Sequence, residues 1–335
     1  MTLMPQKKLA VIILNWNGEK LLQQFLPSCV KYTTGDEADL RVADNGSTDG
    51  SVSWIENNYP DLKILRFPKN YGFAEGYNRA IEATRYPYTI LLNSDVEVSE
   101  GWWKPILKFL ETHPDVGAVQ PKIKSYQNKE NFEYAGAAGG FLDSLGYPYC
   151  RGRLFDKVEK DTGQYDDSPR DICWASGAAL GVRTELYLKL NGFDPMFFAH
   201  MEEIDLCCRM LVAGYRVCFI PDSEIYHLGG GSLNHNNPRK TYLNFRNNLL
   251  LLYKNLPQKK RNRKLFLRRL VDSLAFFMYA AKMDFPNARA ILKAHKDFRK
   301  MKANYPEGEG APEGFKFPGS ERNIIIDRYI LNKKK

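Results

Sequence analysis

No run of eighteen or more uninterrupted apolar residues occurs in the 335-residue chain, so a membrane-spanning helix is not expected. The apolar stretch Leu9–Leu14 follows directly on Met1–Lys8 and is too short for a secretory leader core, so a cytoplasmic location is expected. The six cysteines (Cys29, Cys150, Cys173, Cys207, Cys208 and Cys218) form no CxxC pair and no zinc-ligand spacing. Adjacent Cys207 and Cys208 suit neither a disulfide nor a chelate, which leaves reduced, mostly buried thiols in a reducing compartment. A G-x-G-x-x-G and a G-x-x-x-x-G-K-[ST] are both missing, which disfavours a dinucleotide fold and a P-loop. There is no internal repeat and no low-complexity tract.

What is present reads as a packed globule. Hydrophobic residues make up 44%, charged residues 26% and aromatics 13% of the chain, and the net charge is +9. At roughly 150 residues per domain, the length suggests two domains or one large one with additions. Leu9–Leu14 is a continuous apolar run, as expected of a strand buried on both faces. Leu21, Leu22, Phe25, Leu26 and Val30 then recur at helical spacing. Strands at 40–43, 62–67 and 88–92 alternate with helices at 51–58 and 76–84, and a further helix covers 102–112. That rhythm implies a mostly parallel sheet flanked by helices. Residues 125–171 lose periodicity and read as a long insertion or a loop-rich hairpin region suited to acceptor contacts. Order returns at 175–182, followed by helices at 184–190 and 204–213 and two short strands at 216–220 and 225–227. The expected division is a catalytic domain at 1–240 and a helical basic region at 241–335. Within the first, 9–123 is the nucleotide-binding half, 124–172 the insertion and 173–232 the acceptor half.

In parallel sheets ligands bind beyond the carboxyl ends of the strands, and polar residues cluster there: Asn15, Asn17, Asp44, Asn45, Asn70, Asn93 and Asp95. Each alone reads equally well as a turn or capping residue. Three polar strand ends in one sheet favour a pocket, and in it the Asp44 carboxylate can accept from a pyrimidine N–H. Asp95 follows the most hydrophobic strand, where a carboxylate can hold Mg2+ or Mn2+ and neutralise a leaving diphosphate. His227 ends a late strand and precedes the glycine run Gly229–Gly231, which lets backbone approach a ligand closely; it is the candidate second metal ligand. Glu202, Glu203 and Asp205 crowd a helix start. The helix dipole accounts for one or two of them, and a carboxylate here can deprotonate an attacking sugar hydroxyl. Glu203 is the expected base, and Asp205 either shares that work or orients it.

Taken together, the segments Val11–Gly18, Asp44–Ser51, Asn70–Asn78, Leu91–Val96, Ser176–Ala179, Gly192–Asp194, Glu202–Leu206 and Ile225–His227 resemble the family 2 glycosyltransferases. These are inverting nucleotide-sugar enzymes with a GT-A fold, and the likeness is to their bacterial rhamnosyltransferase-like branch. It covers roughly residues 9 to 232 in order. It implies an α/β GT-A fold with a helical C-terminal extension, and a nucleotide-diphosphate sugar donor held also by Gly72 and Asn78. Asp44 would read the base, Asp95 would hold the divalent cation and His227 would complete the metal site. The branch suggests dTDP-L-rhamnose as donor and a lipid-linked or polysaccharide acceptor of cell-surface glycan. Two positions depart from the family pattern: Asn93 stands where the first Asp of Asp-x-Asp is usual, and Glu203 replaces the Asp of a Glu-Asp pair. A non-catalytic nucleotide- or glycan-binding subunit and a sugar nucleotidyltransferase are the alternatives; the latter would want a basic glycine-rich loop where Asn15–Gly18 stands.

Eight basic residues and no acidic one lie between Lys254 and Arg269. No nucleic-acid motif accompanies them, so nucleic acid is not an expected partner. Followed by Leu265–Tyr279, they suit helices lying on an anionic membrane, on the inner face of the cytoplasmic membrane; packing on the catalytic domain is the equal alternative.

Overall fold

The first apolar run forms the central strand β1 (Leu9–Asn15), followed by α1 (Glu19–Thr33), β2 (Ala38–Asp44), α2 (Ser51–Asn58), β3 (Lys63–Arg66), α3 (Phe73–Thr84) and β4 (Tyr88–Leu92) in a computed structural model. It describes residues 7–33, 35–154, 157–167, 170–229, 237–306 and 310–329; Met1–Gln6, Gly230, Gly231 and Lys333–Lys335 lie outside them. β1 lies between β2 and β4 in parallel ladders, with β3 parallel beyond β2. Ala10 and Ile12 enter the core on one face of the sheet, and Leu9, Val11 and Ile13 enter the core on the other. Both faces of the strand are dry, which is why its sequence shows no polar alternation.

The chain continues through β5 (Val96–Val98), α4 (Lys104–Thr112), β6 (Val116–Ser125), β7 (Gly140–Leu142), β8 (Pro148–Cys150), β9 (Arg153–Leu154), β10 (Lys157–Val158) and β11 (Arg170–Asp171). It closes with β12 (Ala179–Arg183), α5 (Thr184–Lys189), α6 (Glu202–Val212), β13 (Arg216–His227), α7 (Pro238–Asn255), α8 (Gln258–Ala281), α9 (Phe285–Met301) and α10 (Ile324–Tyr329). A nine-stranded mixed sheet has the order β11-β13-β6-β12-β4-β1-β2-β3, and β5 pairs with the end of β13. Helices α1, α2 and α4 cover one face; α3, α6 and α7 cover the other.

One expectation needs correction and two are refined. The strands expected at 216–220 and 225–227 are one strand, β13, whose register against β6 slips between Ile220 and Glu224. That irregularity hides the continuity from a periodicity reading. The region expected to be loop-rich carries a second, four-stranded antiparallel sheet, β7 to β10, built from strands of two or three residues. Such strands are too short to show alternation. Only the last part of 175–182 is extended, as β12. The core also runs across residue 240: Leu249–Leu252 of α7 pack in one cluster with Tyr77, Phe193 and Leu206.

Candidate active site

Register places the first part of the site. Asn15 and Asp44 are partners across the β1–β2 ladder, at the carboxyl ends of both strands. Asn15 Nδ2 donates to Asp44 Oδ1 at 3.1 Å and to the Ser47 and Ser51 hydroxyls. Asp44 Oδ2 accepts from the Ser47 N–H, and Asn17 Oδ1 accepts from the N–H groups of Thr48 and Asp49. Asn45 Nδ2 donates to Asn70 Oδ1 and to the Gly72 carbonyl, tying the loop after β2 to the loop after β3. Gly72 sits at φ 82°, and a Cβ there would stand 3.1 Å from the Phe198 ring. The left-handed backbone and the close ring both demand glycine. These residues form one continuous rim. Asn78 does not join it: its side chain is spent on Tyr187 Oη and on both backbone groups of Phe193.

Asp95 and His227 come from opposite ends of the chain's fold. β5 pairs antiparallel with β13, with His227 opposite Val96, so the histidine meets the residue just before β5. His227 Nε2 lies 3.1 Å from Asp95 Oδ1. Glu133, which sequence reasoning missed, lies 3.5 Å from Nδ1 on the far side of the ring. Its other oxygen presses against Gly229, where a Cβ would stand 2.6 Å away. Burial alone would lower the His227 pKa, but the Asp95 and Glu133 carboxylates outweigh it and raise it to about 10.

A carboxylate oxygen and an imidazole nitrogen on adjacent octahedral positions of Mg2+ or Mn2+ would be about 3 Å apart. The Asp95–His227 spacing fits that requirement, and Glu133 stands where the partner of a metal-bound imidazole stands. Proton and cation would compete for the same nitrogen. Among the described residues no three His, Cys, Asp or Glu side chains form a ready-made cage. Asn93 is half-buried, and its N–H donates to the Ala178 carbonyl.

The carboxylates of α6 have divided roles. Glu202 and Glu203 each have a buried Oε2 without a hydrogen-bond partner. Burial, then the charge of Glu203, pushes Glu202 well above the carboxylate range; burial holds Glu203 at about 7. Glu203 lies against Gly177, in the turn whose Ala178 carbonyl accepts from Asn93. Asp205 is fully buried and saturated: Oδ2 accepts from Arg209 and Lys254, and Oδ1 from Asn255, at 2.8 to 2.9 Å. Burial works against its charge, but Arg209 and Lys254 hold its pKa below the usual value. It ties α6 to α7.

The α6 start hangs from a strained loop. Phe198, His200 and Met201 all have positive φ, between 67° and 75°. Asn247 of α7, fully buried, donates to the carbonyls of Phe197, Ala199 and His200 at 2.7 to 2.9 Å. Arg246 donates to Met196 and Phe197. Lys254 bridges Asp194 to Asp205. Sequence reasoning missed this clamp, since Arg246 and Asn247 lie in what reads as a Leu-rich helix; the one available signal was the density of Asn there.

A depression of about 430 Å3 lined by Lys7, Arg41 and Ala83–Pro87 lies near the amino ends of β1 and β4 and holds none of these residues. The polar rim lies at the opposite, carboxyl ends of the strands, where open α/β sheets bind ligands.

The mostly parallel central sheet flanked by helices, with its polar residues gathered at the carboxyl ends of the strands, has the GT-A glycosyltransferase architecture. Residues 10–167, just under half of the chain, match Glycosyl transferase family 2. It is 27% identical over 237 residues to the N-acetylglucosaminyl-diphospho-decaprenol L-rhamnosyltransferase of Mycobacterium tuberculosis, covering 65% of this chain and 75% of that one. It is 24% identical over 164 residues to the rhamnosyltransferase WbbL of Escherichia coli, covering 47% and 61%. The solved mannosyltransferase PcManGT of Pyrobaculum calidifontis, in complex with GDP-Man and Mn2+, shares the fold at a TM-score of 0.51 and 16% identity, over 89% of this chain and 79% of that one.

Proposed function

We propose that the enzyme moves L-rhamnose from dTDP-rhamnose to a lipid-linked or polysaccharide acceptor in bacterial surface-glycan assembly, in a metal-dependent inverting reaction. The observation that carries the reading is Glu203: a desolvated carboxyl with an unpartnered oxygen, ionising near neutrality, beside the turn that pairs with Asn93. The rhamnosyltransferase relatives support the sugar, and the decaprenol-linked substrate named for one of them supports the acceptor class.

Asn15, Asp44 and the Asn45–Asn70–Gly72 latch shape the donor end; Asp44 meets the base through lone pairs not spent on Asn15 and Ser47. Asp95 and His227 would hold the divalent cation, which when bound neutralises charge on the departing diphosphate. Glu203 takes the proton of the acceptor hydroxyl as that oxygen bonds the anomeric carbon. The carbon–oxygen bond to the diphosphate breaks on the opposite face, and the nucleotide leaves with the bonding pair. Burial and the Glu203 charge disfavour ionisation of Glu202, which lessens the negative charge beside the base. The Asn247 clamp keeps the strained loop, and so Glu203, in place.

Thermal unfolding with Mn2+ and a panel of nucleotide sugars tests the donor. A donor at a hundred times its Kd stabilises by about 2.7 kcal/mol. dTDP-rhamnose is expected to give the largest shift; a larger shift with another sugar nucleotide and none with dTDP-rhamnose would overturn the donor assignment.

A further inference from the structure

Helix α8 is built inside out. Its buried positions are Arg261, Arg268 and Asp272. Its exposed positions include Phe266, Leu267, Leu270, Leu274, Phe277 and Met278, with Leu274 at 64% and Phe277 at 65% exposure. At 100° per residue these six side chains fall within one third of the helix circumference, and the three buried charged residues fall on the other side.

The orientation is locked by the polar face. Arg268 pairs with Asp272, donates to Asn248 of α7, and stacks on the Tyr147 ring 3.7 Å from its centre. Asp272 also meets the Tyr147 hydroxyl and His295 Nε2 of α9. Arg261 donates to the Tyr253 carbonyl and lies over its ring. Rotating the apolar face inward would strand a buried network of charges. The apolar face therefore stays outward; α7 supplies the buried apolar packing on the catalytic core, to which α8 adds the part-buried Leu265.

We propose that this face of α8 is a docking surface for an anionic lipid bilayer. Charge selects the occupant. Exposed Lys259, Lys260 and Arg263 continue the apolar face toward the helix start, exposed Arg269 flanks it, and the only acid of α8, Asp272, is turned inward and paired. Exposed Met283 and Phe285, just beyond the helix end, extend the apolar surface. A second copy set against this face would oppose like charges, whereas anionic headgroups would neutralise them while the Phe and Leu side chains enter the acyl boundary. No helix of the described residues is long and apolar enough to cross a membrane, so the contact is made along the surface. The inference does not depend on the sugar-transfer reading, because vesicle binding is read without donor or acceptor.

The full chain is floated with vesicles of phosphatidylglycerol and phosphatidylcholine, and separately with pure phosphatidylcholine. Binding is expected to the first set only and to weaken in high salt. The exposed variants Leu270→Glu/Leu274→Glu and Lys259→Glu/Lys260→Glu/Arg263→Glu should each lower partitioning at least ~10-fold, with unchanged circular dichroism and Tm. Equal binding to both vesicle sets, or wild-type binding by both variants, would overturn the proposal. So would concentration-dependent self-association abolished by Leu270→Glu/Leu274→Glu, which would assign the face to a second copy.

Discussion

Replacing Glu203 by Gln should remove activity and add stability. The carboxyl ionises at its ordinary 4.5 once unfolded but at about 7 in the fold, because burial disfavours its charged form. The folded state therefore holds the proton longer than the unfolded state does. Relative stability is full below pH 4.5 and falls as pH rises to about 7. By pH 8 the loss approaches about 3 kcal/mol, an upper estimate for a side chain with a neighbour as close as Glu202. Gln has the same shape and no proton to lose, so Glu203→Gln escapes that loss. For a chain of this size the gain is a Tm higher by a few degrees at pH 8, shrinking to nothing near pH 4.5. Turnover should fall by about 10²- to 10⁴-fold, the usual worth of a positioned base. In the wild type, kcat/KM should climb with pH up to about 7 and then level, since only the ionised form accepts the acceptor proton. Matched thermal melts at both pH values, together with initial rates of nucleotide release, read all of this. Near-wild-type turnover, or a variant less stable than the parent at pH 8, would refute the reasoning.

Asp95→Asn and saturating EDTA should each abolish transfer, with Mn2+ restoring only the chelated wild type; full activity in chelator would dismiss the cation. Asp205→Ala strands Arg209 and Lys254 and should cost about 3–5 kcal/mol of stability in denaturant titration, whereas a stability near wild type with lost turnover would return Asp205 to the chemistry. Asn247→Ala removes the donor shared by three carbonyls of the strained loop and should cost about 1–3 kcal/mol. Its kcat should drop with little change in donor-induced thermal shift; an unchanged kcat would show that the loop holds itself.

Local signals carried a good deal of this fold. The unbroken apolar run of β1 and the polar residues that follow β1, β2, β3 and β4 are visible in one dimension, because period and strand-end chemistry are short-range properties. Asn15, Asp44, Asn45 and Asn70 were legible for that reason, and the structure gathers them on one rim. β5 and β7 to β10 were not legible, since strands of two or three residues leave no period. Asn78 came in only through the family resemblance, and in the fold both ends of its side chain bond the turn at Gly192–Phe193.

What the amino-acid sequence determined by itself is therefore the layered α/β plan, the end of the sheet that carries polar groups, and the crowding of acids at the start of α6. Only the tertiary structure decided which of those acids is free. Glu203 and Asp205 are two residues apart, but Arg209, Lys254 and Asn255 converge on the second and leave the first with an empty lone pair. Ionisation and partnership are set by what approaches through space, and Lys254 and Asn255 reach Asp205 from some fifty positions away along the chain. The same holds for α8: its composition names an amphipathic helix, and only the buried Arg268–Asp272 network settles that the apolar side faces out.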